Sequence, residues 1–403
     1  MRRRSLHSLR LRYFFAPALC LLFVFFFAGW GFSQKEFCCE FSPSTKPISE
    51  TVISLPSDLQ KCEFLAPGAY GAVAFTGPNI IVAGFHVVTC QRPGKMYGAD
   101  RHTLDIIVQI DASTGKELKR IEWKDLYDYD EENMAGDIDV VATYDGRFLV
   151  RVGPFVKLIS SDFKEVNSRK FITEPFGPGD HWIVRVAPGG KTGLFRRWNR
   201  DDVSQNRWFS TDTLDDEFVE KSSTGEGWHI VPSESSVYFT QLPHHGPNDH
   251  LVLVRTRGER ESHPLCSDCA GIAEGLAINN TIFVATSPKA SFSLVSAQGE
   301  IIHRESFGDG IDHADHVVAS SAALRFAFTF GHLHKNLVSW KSPTTVIVYD
   351  IKKMKVVLKI KFDEQLQNIS GPYGGLPMLG LSPDGRRVAV LAGRVLKVFS
   401  VPE

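Results

Sequence analysis

The sequence predicts an all-β protein made of repeated strand–turn–strand units, and three observations carry that expectation. First, β-rich runs alternate with Gly, Asp, Asn and Pro turns along most of the 403 residues, with no convincing amphipathic helix beyond the N-terminal head. Second, one form recurs: an alternating apolar strand, a tight turn and a second alternating strand. Third, the central turns fall near positions 145, 189, 234, 279 and 322, spaced by 44, 45, 45 and 43 residues. A spacing in the forties with several strands per unit is that of β-propeller blades. Two unrelated β-sandwich domains would supply strands but have no reason to hold that period.

The head comes first in chain order. Residues 1–33 carry five arginines (Arg2, Arg3, Arg4, Arg10, Arg12) and no acids, ahead of the apolar run Tyr13–Phe32. Two readings fit this hydrophobic helix. It is a secretory signal peptide cleaved near Gly31-Phe32-Ser33, or a transmembrane anchor with the arginines held inside. Either way the rest is expected to be exported to the cell envelope, with the head as the contact to the membrane. Residues 34–49 read as a linker and 50–403 as the propeller. The net charge is −1, and removing the five arginines of the head leaves −6 for the remainder. A mildly acidic body argues against nucleic acid as partner, because phosphate binding needs a basic surface.

The blades follow. A weaker first copy, "GAVAFTGPNIIVAG", turns around Pro78, 67 residues before the turn at Asp145. Next come "VVATYDGRFLVRV", "IVRVAPGGKTGLF", "HIVPSESSVYFTQ", "GLAINNTIFVATS" and "VVASSAALRFAFTF". The last copy, "LGLSPDGRRVAVLA", turns at Pro383-Asp384-Gly385, 62 residues after Ala322. Two further strands joined by a short turn follow most copies, as in "LDIIVQIDASTGKELKRIEW" and "TTVIVYDIKKMKVVLKIKF". With the strands of a unit called A to D, seven A–B turns predict seven blades. The final unit holds only A, B and C. The alternating "SETVISLPS" is the candidate for the missing strand, so Thr51–Leu55 is expected to pair with Val395–Val401 and close the ring.

The stretch Leu381–Val390, "LSPDGRRVAV", resembles the blade signature of bacterial exported propellers, the WD40-like and YVTN-type repeat proteins. That resemblance implies binding or scaffolding, with enzymes among the relatives.

In a four-stranded blade the D–A and B–C connections share one face, and the A–B and C–D turns share the other. His244, His245 and His250 fall in the B–C loop of the fourth unit. Asp309, Asp312, His313, Asp315 and His316 are expected in a D–A connection, and His332 and His334 open the B–C loop of the sixth. His86 and His102 fall in the first B–C region. Most of the fourteen histidines therefore map to one face, which is the expected docking surface for a protein or small-molecule ligand. Interleaved Asp and His also offer hard oxygen and borderline nitrogen ligands, making His313, His316, His332 and His334 the candidates for a divalent metal. Such a metal would be structural, or would activate water from an open position. No HExxH spacing, nucleophile elbow or phosphate-cradling glycine loop is present, and no catalytic residue is assigned.

Six cysteines lie outside the apolar run. Cys266-x-x-Cys269 reads as a local disulfide tightening a D–A connection, since a redox thiol wants a helix N-terminus and a zinc knuckle wants a second ligand pair beyond His263. The pairing of Cys38, Cys39, Cys62 and Cys90 stays open. The first reading of function is a binding or scaffolding propeller using its loop-rich face. The alternative is a propeller enzyme, a metal-assisted hydrolase or an oxidoreductase, using the His/Asp-rich loops.

Overall fold

The computed structural model describes residues 46–55, 69–90, 101–126, 138–172, 181–198, 203–223, 232, 237–241, 251–255, 260–263, 274–287, 291–298, 300–307, 312–332, 344–362 and 377–403. These residues are β throughout, without a helix. None of them forms a helix long and apolar enough to cross a membrane, and the hydrophobic helix expected in 1–33 lies outside them.

Strand β1 (Ser49–Val52) stands apart in sequence from its sheet. The first sheet is β2 (Ala69–Gly77), β3 (Ile80–Cys90), β4 (Arg101–Asp111) and β5 (Glu117–Lys124). The second is β6 (Ile138–Ala142), β7 (Phe148–Val152), β8 (Phe155–Ile159) and β9 (Glu165–Lys170). The third is β10 (His181–Val186), β11 (Thr192–Trp198), β12 (Val203–Ser210) and β13 (Asp216–Ser223). Then come β14 (Val237–Gln241), β15 (Leu251–Arg255) and β16 (Arg260–His263). The next sheet is β17 (Glu274–Ala277), β18 (Ile282–Ser287), β19 (Ser291–Ser296) and β20 (Ile301–Ser306). It is followed by β21 (Asp312–Ser320), β22 (Arg325–His332), β23 (Thr345–Asp350) and β24 (Lys355–Lys361). The chain ends on β25 (Met378–Leu381), β26 (Arg387–Ala392) and β27 (Val395–Ser400).

Every sheet is an antiparallel meander in chain order, except that β1 adds to β27 as the outermost strand of the last one. Six sheets have four strands and are complete blades, where the sequence expects seven. The remaining sheet has three strands, β14–β16, and the first strand that the sequence expects at 229–231 lies outside the described residues. The first strands of neighbouring blades adjoin: β2 lies against β6 and β25, β6 against β10, and β21 against β17 and β25. This is the β-propeller arrangement.

Blades bury both faces, and the period-two alternation of a strand distributes its side chains between two separate cores. In β3, Ile81 and Ala83 enter the core shared with β25–β27, while Val82 enters the core shared with β6–β8. Likewise Phe326 and Phe328 face the blade before, and Ala327 the blade after. Middle strands are therefore buried along their length. Phe148–Val152 and Thr345–Asp350 are buried at every position. Outer strands such as β9 and β20 alternate exposed with half-buried residues, because they lie at the rim. Close packing at the first seam requires Gly84, where a Cβ would stand 2.7 Å from Val140 Cγ2 of the neighbouring blade.

Closure by an N-terminal strand is as expected in kind, with a shifted register. Ser49, Glu50, Thr51 and Val52 pair with Val398, Lys397, Leu396 and Val395, so the strand lies two to three residues earlier than Thr51–Leu55. Beyond Val52, the Ile53 amide still donates to Arg394 O at 2.9 Å, and the buried Ile53 side chain joins the core between the first and last blades. The shift also puts the hydroxyls of Ser49 and Thr51 against the turn after β4. They donate to Ala112 O and Gly115 O, each at 2.7 Å.

Candidate functional site

The long intervals between consecutive strands fall between second and third strands or between one sheet and the next, at 91–100, 125–137, 264–273, 333–344 and 362–377. The A–B turns are short, from two residues at 78–79 to five at 143–147, 187–191 and 382–386. A rigid scaffold carrying its long loops on one face is the usual arrangement of a binding surface.

The structure relocates part of the predicted set. Asp312, His313, Asp315 and His316 lie on β21 rather than in a D–A loop, and His332 is the last residue of β22. The sequence missed this because Asp and His read as turn residues, whereas the ladder of β22 extends the sheet over them. Asp312 is directly opposed to His332, and His313 to Gly331. The pairing thus brings an Asp and a His together at the D–A/B–C end of this blade. The register slips between Asp315 and Val318, and half-buried His316 sits in that irregularity with φ of 48°. His244, His245, His250, Asp309 and His334 lie outside the described residues, as do Cys38, Cys39, Cys62, Cys266 and Cys269. Among the described residues no group of three metal-ligating side chains comes together.

His86 is not a loop residue. It lies inside β3 and is fully buried, with Nδ1 2.6 Å from Oδ1 of Asp105, itself fully buried on β4. His102 lies on β4, opposite Thr89. A buried His–Asp pair between middle strands cannot reach a ligand without opening the blade, so its place is in the core.

Polar side chains also join one blade to the next, and sequence reasoning did not find them. On the first strand of the second blade, Asp139 accepts from the buried Arg151 at 2.5 Å and from the Val184 amide of β10 at 2.8 Å. Arg185 of β10 reaches past the β14–β16 unit in chain order and donates to Gly275 O of β17 at 2.8 Å. Close by, burial, with the charge of Arg185 alongside, pulls the Arg196 guanidinium down to about 10.

Around the A–B face, an arginine at the start of a second strand repeatedly reaches the next blade. Arg325 bonds Asp350 at 2.9 and 3.0 Å and donates to Gly385 O of the following A–B turn at 3.0 Å. Arg387 donates to Pro78 O at 2.7 Å and to Asn79 Oδ1, across the seam between the last and first blades. Arg147 binds Asp212 in the turn of the third blade, where Tyr144 also donates at 3.0 Å. The signal for these was present in "DGR", "DGRR" and "LR" at equivalent positions of three units. Only the packing shows where the guanidinium goes. The A–B face is thereby cross-braced, and the other face carries the loops.

No family model matches the chain, and no curated protein matches it. Among solved structures it is similar to the crystal structure of Chaetomium thermophilum Raptor, with a TM-score of 0.54 and 9% identity. That likeness covers 89% of this chain and 28% of the other, so the chain spans less than a third of the length of that relative. At such identity the likeness concerns the fold alone, a propeller of repeated blades.

Proposed function

We propose that this chain is a seven-bladed binding or scaffolding propeller that docks a protein partner on its D–A/B–C face. The unit of β14–β16 is taken as the remaining blade, with its first strand before the turn at Glu234. The observation that carries the reading is the asymmetry between the two faces. One is closed by short turns and blade-to-blade arginines, and the other bears the Asp312/His332 end of β21–β22 and is where the sequence expects His244, His245 and His250. Propellers with WD40-like blades generally act as interaction scaffolds, which accords with this reading. The arginine-flanked apolar run Tyr13–Phe32 supports export, with the head serving as membrane anchor or cleaved signal.

The test uses the full chain in its native membrane fraction. Chemical cross-linking should recover a stoichiometric protein partner. Replacing 242–250 by a Gly/Ser linker of equal length should abolish recovery, and replacing the 187–191 turn should leave it intact. Equal recovery from both variants would refute docking on the loop face. The enzyme alternative predicts a stoichiometric metal that disappears when His313, His316, His332 and His334 are changed to Ala.

A further inference from the structure

We propose that the A–B/C–D face of the propeller docks on the same face of a second copy of this chain. An exposed large apolar side chain recurs at one place in each of the six complete blades, at or just before the start of the outer strand. These residues are Ile48, Leu118, Val166, Phe218, Ile302 and Met354, between 37% and 55% exposed. Single exposed apolar residues are ordinary on a surface, but one per blade on the same side makes a ring. Apart from Val52, the second halves of the outer strands do not continue it. There Ile121 and Trp123 pack against the core of the second blade, and Leu358 and Ile360 against that of the last.

Charge selects the occupant. In the β21–β24 blade, Lys352, Lys353 and Lys355 surround Met354; all three are exposed, and none forms an ion pair among the described residues. The neighbouring Asp350 is taken by Arg325. In the β10–β13 blade, Asp212, Asp215, Asp216 and Glu217 lead up to Phe218, with no basic residue among them. Arg147 holds Asp212, and Arg169 and Arg207 hold Asp216. Asp215 is exposed and forms no ion pair among the described residues. Around the ring, β6, β2 and β25 separate β10 from β21 on one side. The β14–β16 and β17–β20 units separate them in chain order on the other. The acidic and basic sectors therefore stand across the same face from each other. A two-fold axis in the plane of that face, passing by the first blade, lays the acidic sector of each copy on the basic sector of the other. The contact forms twice, and Leu118 comes near its own counterpart. Lysines on an outer strand also discourage edge pairing, which accounts for Lys355 but not for Lys352 and Lys353 in the turn. A leaflet of anionic lipid suits the lysines and repels the acidic sector, whereas a second copy matches both. Such pairing leaves both D–A/B–C faces outward, so it goes beyond the partner docking proposed above and does not depend on it.

The experiment follows association of the full chain, purified in mild detergent, by analytical ultracentrifugation. The parent should sediment as a dimer. K352E/K353E and D215K/E217K should each weaken self-association at least about tenfold, because like charges then oppose each other at both contacts. An equimolar mixture of the two variants should regain the dimer, and so should one chain carrying all four changes. Every altered residue is exposed, so each variant should melt like the parent. A photo-cross-linking amino acid at Leu118 should yield covalent dimers, and one at Val52 should not. A parent that stays monomeric overturns the proposal. So does a dimer that every variant keeps, since another surface then holds it. Association lost in the single-sector variants and restored neither by mixing nor by the fourfold change also refutes the pairing of the two sectors.

Discussion

Thr51 donates its hydroxyl to the carbonyl of Gly115 at 2.7 Å, joining the last blade's outer strand to a turn of the first blade. A Cβ on Gly115 would stand 2.3 Å from that hydroxyl oxygen, and the glycine holds φ of 72°. Strand β1 is therefore fixed twice, by its backbone to β27 and by Ser49 and Thr51 to the neighbouring blade. Thr51→Ala should cost about 1 kcal/mol, the net worth of one hydrogen bond. Gly115→Ala should cost more, about 1–3 kcal/mol, because it adds a left-handed strain to the clash. Denaturant unfolding of the two variants beside the parent checks both the values and their order.

Removing residues 395–403 deletes β27, leaving β1 without its strand partner and β26 paired with β25 alone. The seam between last and first blades shares one core, with Leu396 and Val398 packed among Val73, Phe85 and Ile106. The truncated chain should lose its cooperative thermal transition or melt far below the full chain. A truncated chain with an unchanged melting temperature would refute closure by β1.

Arg325 and Asp350 form a buried ion pair that also holds Gly385 O of the next blade. Arg325→Met leaves a carboxylate buried without its cation and should cost about 3–5 kcal/mol. Adding Asp350→Asn should recover part of that loss, because the stranded charge is gone. A double-mutant cycle by chemical denaturation measures the coupling, and additive effects would show that the pair does not act as a unit.

Acid should loosen the seam between the last and first blades through Asp111. The hydroxyl and amide of Ser113 and those of Thr114 all donate to its Oδ1, and they hold the carboxyl down from the ordinary 3.8 to about 2. A carboxylate whose value is lower in the folded state than in the unfolded state adds stability above the unfolded value. That contribution fades as pH falls from about 4 towards 2. The turn it caps carries Ala112 O and Gly115 O, the acceptors of β1. Amide exchange at 48–53 should therefore accelerate over that window, and Asp111→Asn should remove the acid dependence. Exchange that stays flat through the window in the parent would refute the coupling.

Local pattern was enough to place the repeat. The turns read near 78, 145, 189, 279, 322 and 384 stand between the first and second strands of their sheets, and the turn at 234 lies outside the described residues. Strand alternation and turn chemistry are properties of neighbouring residues, so they survive in the sequence. The need for a further strand after Ser400 was legible for the same reason, since the last unit is one strand short. Its register was not. Two alternating segments fit each other at several offsets, and the offset found is the one that sends Ser49 and Thr51 to carbonyls 63 and 64 positions away.

The candidate site was less legible than the fold. Asp and His at 312–316 look like loop residues until β22 is alongside, and His86 looks like one until Asp105 is opposite it. The sequence by itself determined the class of fold, the strand-and-turn period and the strand that closes the last blade. Tertiary structure decided which alternating residues enter which of two cores, where the arginines of Arg147, Arg325 and Arg387 reach, and which polar residues are buried. The physical reason is that each blade is covered on both faces. A residue's surroundings come from a neighbouring blade tens to hundreds of residues away, and no local period records them.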